Sequence, residues 1–255
     1  MTTDFGTSDG YVGAMKGEIL RRAPGAQIVD LSHDIAPQDV AQGAWCLRRA
    51  APAFPEGTIH VAVVDPGVGT ERRGLLVETE HFLLLGPDNG LLMWAAERDR
   101  IRAVREIETG RGPWRRSPTF DGLSLFAVAA GQLMAGQEPD SVGSLLKDWK
   151  RIAVPPPHAC QHAIEGEVMA HDRFGNAITN IPLELLGGRR PSGVEWGGAA
   201  PVRLCAAYHD LDGDSDSLGA LWNSDGQLEL FSYAGSARER FQIGRGQTVR
   251  LILSH

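Results

Sequence analysis

Three cysteines in 255 residues, Cys46, Cys160 and Cys205, stand far apart and form no Cys-x-x-Cys pair. Neither a disulfide framework nor a thiolate metal site has a pattern to rest on, so they read as reduced structural thiols. The eight histidines are read as carrying no metal-ligand spacing. Uninterrupted apolar runs approaching the roughly 18 residues of a membrane span are absent. So is a basic segment followed by an apolar stretch in "MTTDFGTSDG", which excludes a recognisable secretory signal and points to the cytoplasm. Basic blocks are missing too. With a formal net charge of -7, nucleic acid is a poor partner, because phosphate neutralisation dominates that affinity.

What is present is apolar content, 42% of the chain, enough for a packed core in one large domain or two modest ones. The first part alternates strand and helix signals. "GYVGAMKGEILRRAPG" places Val12, Met15, Ile19 and Leu20 on one helical face and stops at Pro24-Gly25. "AQIVDLSHD" reads as a short strand, and "PQDVAQGAWCLRRAAPAF" as a second amphipathic helix with Val40, Ala44 and Leu47 in register. "GTIHVAVVD" suits a central strand covered on both faces. "GLLVETEHFLLLGPDNG" gives two strands and a turn, and "GLSLFAVAAGQLMAG" a third helix. This order predicts an α/β domain over residues 1–157 with a mostly parallel sheet. Pro155-Pro156-Pro157 then forms an extended linker. Beyond it, β segments separated by Gly, Asp and Asn turns predict a smaller all-β domain over 158–255, a barrel or a sandwich.

Sites in open α/β sheets lie beyond the carboxyl ends of the strands. Two stretches fall there. In "TTDFGTSDGYVG", Asp4 ends a core strand and needs a partner or a ligand, while Thr7-Ser8-Asp9 also suits an ordinary helix N-cap. In "VVDPGVGTERRG", a strand runs into Asp65 and the turn returns Arg72 and Arg73. That is either a turn with a surface ion pair or a strand end holding a charged pair inside a site. A phosphate loop is excluded, because the Lys-Ser/Thr pair is missing. In the β domain, "HDRFGNAITNI" offers an aromatic and an amide, Phe174 and Asn176, that suit a base, but it reads equally as a hairpin turn with one core Phe. "LDGDSDS" fails as a calcium loop. Counted from Asp212, Ser217 and Asn223 occupy the positions of the glycine and the terminal glutamate.

Taken in order, "TTDFGTSDGYVGAMKG", "QDVAQGA", "VVDPGVGTERR", "GPDNGLL", "TFDGLSLF", "DRFGNAITNI" and "NSDGQLE" resemble the S-adenosylmethionine hydrolases, or hydroxide adenosyltransferases, over nearly the whole chain. Their relatives are the fluorinating and chlorinating 5'-halogenases. The resemblance implies a homotrimer with the ligand between the N-terminal domain of one subunit and the C-terminal domain of its neighbour. It implies attack of water or hydroxide on C5' of S-adenosylmethionine, giving adenosine and methionine, with no cofactor and no metal. It assigns Asp65 and Arg72 to a catalytic triad whose third member, a histidine, is replaced here by Asp121. After Thr-Phe the family has His-Gly-Arg-Asp, and this chain has Asp121-Gly122-Leu123-Ser124. Two readings of Asp121 follow: a general base slower than imidazole near neutral pH, or a decayed triad that leaves an adenosine or S-adenosylmethionine binding protein.

The resemblance also implies substrate contacts from Asp4, Asp9 and Asp65 on the N-terminal side. On the C-terminal side it implies Asp172, Phe174, Asn176, Tyr208, Ser224, Glu229 and Ala234. Relatives carry several apolar residues before the match to "TTDFG", so a first strand shortened by a missing N-terminal segment is expected. The halogenases differ more. They have an aromatic where this chain has Asp65, a Trp where it has Gln38, and a long insertion before the match to "GPDNGLL".

Overall fold

A computed structural model describes residues 1–197, 202–214 and 216–254. The chain divides into two compact units, residues 1–152 and 153–255. In the first, β1 (Thr2–Thr3), α1 (Tyr11–Arg22), α2 (Val40–Ala50), β2 (Ile59–Val63), β3 (Gly74–Thr79) and β4 (Leu83–Pro87) follow in sequence. Then come α3 (Leu91–Ala96), β5 (Ile101–Glu106), a π-helical stretch (Gly122–Ala127) and α4 (Val128–Met134). The five-stranded sheet has the order β1-β2-β4-β3-β5. Its β1-β2-β4 half is parallel, as the alternation predicts, and its β4-β3-β5 half is antiparallel. The sheet is therefore mixed. The three-residue link between Thr79 and Leu83 is too short for a parallel crossover, so β3 and β4 form a hairpin.

The α/β unit with helices and the following all-β unit match the fold class read from the sequence. Local differences have identifiable causes. The segment predicted as a strand, "AQIVDLSHD", contributes a single parallel bridge, Ser32 to Thr2, because its neighbour β1 is only two residues long. Val12, Met15 and Ile19 of α1 are buried, whereas Leu20 faces outward. The helix α1 takes its N-cap from Gly10 at φ 75°, with no side-chain cap bond. Thr7, Ser8 and Asp9 are thus exposed and unused by the helix.

The sheet is covered on both faces. Val61 and Val63 join Met15, Ile19, Leu76, Leu85, Leu125, Phe126 and Leu133 in one cluster under α1 and α4. Val64 turns the other way, against α2, where a Cβ on Gly43 would stand 2.8 Å from its Cγ2. A strand alternates faces, so carrying this period past β2 directs Asp65 to the Val61 and Val63 face.

The second unit contains β6 (His158–Ala159), β7 (Ala163–His171), β8 (Ala177–Pro182), β9 (Pro191–Trp196) and β10 (Val202–Leu204). β11 (Leu218–Trp222), β12 (Gln227–Phe231), the short helix α5 (Ala237–Phe241) and β13 (Thr248–Leu253) complete it. Seven strands close a barrel, β7-β8-β12-β11-β10-β9-β13, because β13 pairs with both β9 and β7. The barrel resolves the choice left open with the sandwich. Inside it pack Ile164, Val168, Ile181, Leu218, Leu228, Leu230, Val249 and Leu251.

The histidine reading needs one correction. His158 and His162 do stand four residues apart in "HACQH". They span the turn from β6 to β7 rather than one helical face, and no group of three or more metal-ligating side chains occurs among the described residues. Of the acidic "LDGDSDS" segment, Ser215 lies outside the described residues.

Candidate active site

The short strand register brings the first two acids together. Thr3 of β1 pairs with Val63 of β2, so Asp4 and Asp65 leave adjacent parallel strands at their carboxyl ends. Asp4 accepts from the backbone N–H of Gln38 at 2.8 Å, and Gln38 adopts a left-handed φ of 66°. After Asp65, the turn folds on itself: Val68 N donates to Asp65 O at 3.3 Å, and Thr70 Oγ1 donates to Gly67 O at 2.7 Å. Gly67 N also donates to Asp65 Oδ1 at 3.2 Å.

Arg72 returns from this turn into a charged cluster. Its Nε donates to Asp65 Oδ1 at 2.9 Å and its Nη2 to Asp65 Oδ2, a bidentate pair. The same Nη2 donates to Asp121 Oδ2 at 2.9 Å. The three side chains are 4%, 5% and 0% exposed for Arg72, Asp65 and Asp121. The guanidinium carbon of Arg72 lies 5.5 Å from the centroid of the Phe126 ring, which belongs to the core beneath. Of the Arg72 donors, Nη1 is buried and has no partner among the described residues. The opening alternative is decided: this is a buried charged pair at a strand end, not a surface ion pair.

Asp121 is held from three directions. Oδ2 accepts from Arg72 and also from Arg116 Nε at 2.9 Å, and Oδ1 accepts from the Ser117 N–H at 2.6 Å. Arg116 spans both loops, because its Nη1 donates to Arg72 O at 2.7 Å and its Nη2 to Thr70 O at 3.0 Å. The loops also touch directly. Gly69 sits at φ +79°, and a Cβ there would fall 2.3 Å from Pro118 O. Gly69→Ala is therefore expected to push the two loops apart and weaken the Arg72–Asp121 bond, lowering turnover with little change in the barrel unit. Near-wild-type turnover in that variant would count against the packing argument.

Arg116 and Ser117 were not among the candidates read from the sequence, nor were Asp88 and Asn89 of "GPDNGLL". Asn89 Nδ2 donates to Val64 O at 2.8 Å, fixing the residue before Asp65. Asp88 Oδ2 accepts from Arg73 Nε and Nη2 at 2.9 and 2.7 Å, fixing the residue after Arg72. A local signal was available: Arg115-Arg116 stands just before Asp121 in "RRSPTFDG", and a carboxylate that the fold buries needs a cation nearby. Beside the cluster, Phe5, Tyr11 and Phe120 meet edge to face, with centroids 5.1 to 6.1 Å apart. Asp9 is exposed on the loop between Asp4 and α1.

In the barrel unit, Asp172 folds the β7–β8 turn. Its Oδ1 accepts from the N–H groups of Phe174 and Asn176, each at 2.9 Å, and its Oδ2 accepts from Asn176 Nδ2 at 2.9 Å. Both Asp172 oxygens and the Asn176 amide nitrogen are thus engaged locally, while the Phe174 ring, on a residue 76% exposed, projects outward. Gly175 lies against Ser236, so this turn packs beside the segment that carries Ala234. Ala234 holds a left-handed φ of 47°, unusual for a residue with a side chain. Tyr208 rests edge-on against Phe231 and donates to Glu229 Oε1 at 2.7 Å, and Asn223 Nδ2 donates to Glu229 Oε2 at 3.2 Å. Ser224 sits in the turn between β11 and β12, at the other end of β12 from Ala234.

Residues 1–143 match the SAM hydroxide adenosyltransferase N-terminal domain, and residues 166–250 match the corresponding C-terminal domain. The chain belongs to the SAM hydroxide adenosyltransferase family. It is 38% identical to an (R)-S-adenosyl-L-methionine hydrolase of Thermus thermophilus, covering 98% of this chain and 97% of that protein. A protein of the same description from Methanocaldococcus jannaschii is 32% identical, covering 99% and 94%. A fluorinase from Actinopolyspora mzabensis is 26% identical, covering 99% and 96%. Among solved structures, an uncharacterized conserved protein from Thermotoga maritima superposes with a TM-score of 0.88 at 31% identity, covering 98% of each chain. The family's N-terminal match spans the whole Asp65–Arg72–Asp121 cluster, and its C-terminal match spans the Asp172 turn and the Tyr208–Glu229 contact.

Proposed function

We propose that this chain hydrolyses S-adenosyl-L-methionine to adenosine and L-methionine. The observation that carries the reading is the fixed Arg72 guanidinium with one buried donor, Nη1, still unpartnered among the described residues. An oxygen nucleophile is the partner that this donor suits. The reacting oxygen forms a bond to C5' as the C5'–S bond breaks, and the bonding pair leaves with sulfur, converting the cationic sulfonium into the neutral thioether of methionine. With hydroxide as nucleophile no proton remains to be moved; with water, one proton passes to solvent. Because sulfonium is already a good leaving group, the protein's work is alignment and desolvation of the nucleophile. The reading needs no cofactor and no metal.

Asp65 fixes Arg72 and is proposed also to accept from a ribose hydroxyl. Asp4 and Asp9 lie on the loop of the adjacent strand. Phe174, Asn176, Tyr208, Ser224 and Ala234 are proposed for the adenine side, with Asp172 for the methionine ammonium and Glu229 as a further substrate contact. In line with the family resemblance, the proposal has the two sets of residues supplied by neighbouring copies, in a homotrimer with shared sites working in the cytoplasm. No helix among the described residues is long and apolar enough to cross a membrane.

Chromatography of the products from S-adenosylmethionine tests this reading, with adenosine and methionine expected in equal amounts. In ¹⁸O-water the label should enter the 5'-hydroxyl of adenosine. The hydrolase relatives are named for the (R) epimer, so the resolved (R) sulfonium should react faster than the (S). Tight adenosine binding without turnover would replace the reading with a binding protein. Light scattering should give three chains per particle; a stable monomer would remove the shared-site part of the proposal.

A further inference from the structure

We infer that Arg116 and Asp121 are positioning residues that together take the place of the family's histidine, holding Arg72 without accepting a proton. The inference rests on the hydrolase reading above and specifies how this chain serves it.

The first argument is charge. A histidine can stand in a buried cluster as a neutral group, whereas the aspartate at 121 adds a negative charge beside Asp65. Unopposed, that charge would repel a hydroxide or the partial negative charge on an attacking water. Arg116 offsets it directly, because its Nε reaches the same Oδ2 that Arg72 Nη2 reaches, each at 2.9 Å. Two guanidinium groups and two carboxylates then leave the cluster with no net formal charge.

The second argument is hydrogen bonding. Asp121 is fully buried and accepts from Arg72, Arg116 and the Ser117 N–H. A general base needs a lone pair directed at the water it deprotonates. Here Oδ2 is shared by two guanidinium groups and Oδ1 is engaged by a backbone N–H, so the carboxylate is turned toward its holders rather than toward a water. The buried side-chain atom of the cluster that has no partner among the described residues is a donor, Arg72 Nη1.

The third argument is geometry. Arg116 also donates to the carbonyls of Thr70 and Arg72, at 3.0 and 2.7 Å. One side chain therefore fixes the backbone on which Arg72 rides and the carboxylate that orients its tip. In this chain the family's Arg-Asp after His-Gly is Leu123-Ser124, and Ser124 Oγ donates to Arg115 O at 3.0 Å. That contact holds the segment from which Arg116 projects.

The test compares Arg116→Gln, Asp121→Asn and the double variant in adenosine formation, measuring kcat and KM for each. Loss of the matching cation should lower kcat in Arg116→Gln by roughly 10- to 100-fold, as for a charge-assisted hydrogen bond, with KM within about threefold. Removing both charges should restore kcat by roughly tenfold over Arg116→Gln, the coupling expected of residues in one network. Asp121→Asn alone should lose less than about tenfold, whereas removal of a general base costs about 100-fold or more.

Three results overturn the inference: an unchanged Arg116→Gln, a double variant no faster than Arg116→Gln, or an Asp121→Asn loss of the size a base would give. If Arg116→Gln fails to fold, Asp121→Asn decides alone on the size of its loss. Absence of adenosine from the unaltered protein would instead refute the hydrolase reading, so the two failures are distinguishable.

Discussion

Arg72→Met lowers kcat for adenosine formation by roughly 100- to 1,000-fold, the loss seen when one preorganised donor to a reacting oxygen is removed. The expectation follows from how completely Arg72 is fixed before any substrate arrives. Two bonds to Asp65, one to Asp121 and the face of Phe126 define its plane, and Nη1 is the donor they leave over among the described residues. A donor held this way needs no reorganisation during the reaction, which is why its removal acts mainly on kcat. Arg72→Lys is expected to recover little, because an ammonium cannot replace a planar fork at a bidentate site. A kcat within about threefold of the unaltered protein in Arg72→Met would end the claim that this donor serves the nucleophile.

The second large effect is on stability. Asp121→Ala removes the acceptor shared by Arg72 and Arg116 and leaves two cations facing each other over a cavity. Breaking a buried pair by deleting one partner costs about 3–5 kcal/mol. For a chain of this size that corresponds to a fall of roughly 10 °C in the unfolding midpoint of the α/β unit. Asp121→Asn keeps the shape and one acceptor oxygen and should lose much less. Scanning calorimetry of the two variants checks the ordering. A midpoint for Asp121→Ala within about 2 °C of the unaltered protein would mean that water satisfies the guanidinium groups and that the cluster is not closed.

The two experiments separate roles that sequence reasoning left joined. A histidine-to-aspartate replacement in a triad suggests either a substitute base or a lost enzyme, because those are the options when residues are considered one at a time. Arg116 binds Asp121 within its own loop, but it reaches Arg72 only when the turn after Asp65 and the loop before the π-helical stretch lie side by side. Forty-four residues separate Arg116 from the carbonyl of Arg72 that it binds, so no local spacing signals the pairing.

Much of the site was nonetheless legible. The apolar run before Asp65, the Pro-Gly-Val-Gly turn and the returning arginines are local, and local chemistry fixes a strand, a turn and the face on which the acid emerges. The same holds for the alternation of strands and helices and for the change of period after Pro155–Pro157. Less legible were α3, a six-residue helix with every residue buried, and β5, which lacks a clean alternating pattern. Neither offers the one-sided periodicity that reveals an element at a surface. The Asp172 turn was less legible too: that its carboxylate accepts from three donors of its own loop follows from the fold of the hairpin.

By itself, the sequence determined the two-part architecture, the strand that ends in Asp65 and membership in the family, because each depends on residues close together or in fixed order. Tertiary structure decided the mixed sheet, the closure of the barrel by β13, and the meeting of Arg72 with Asp121 and Arg116. Those outcomes depend on which distant backbone and side-chain groups meet once the core excludes water. Inside that core a charge must find its opposite, and for Asp121 packing adds the distant Arg72 to the nearby Arg116.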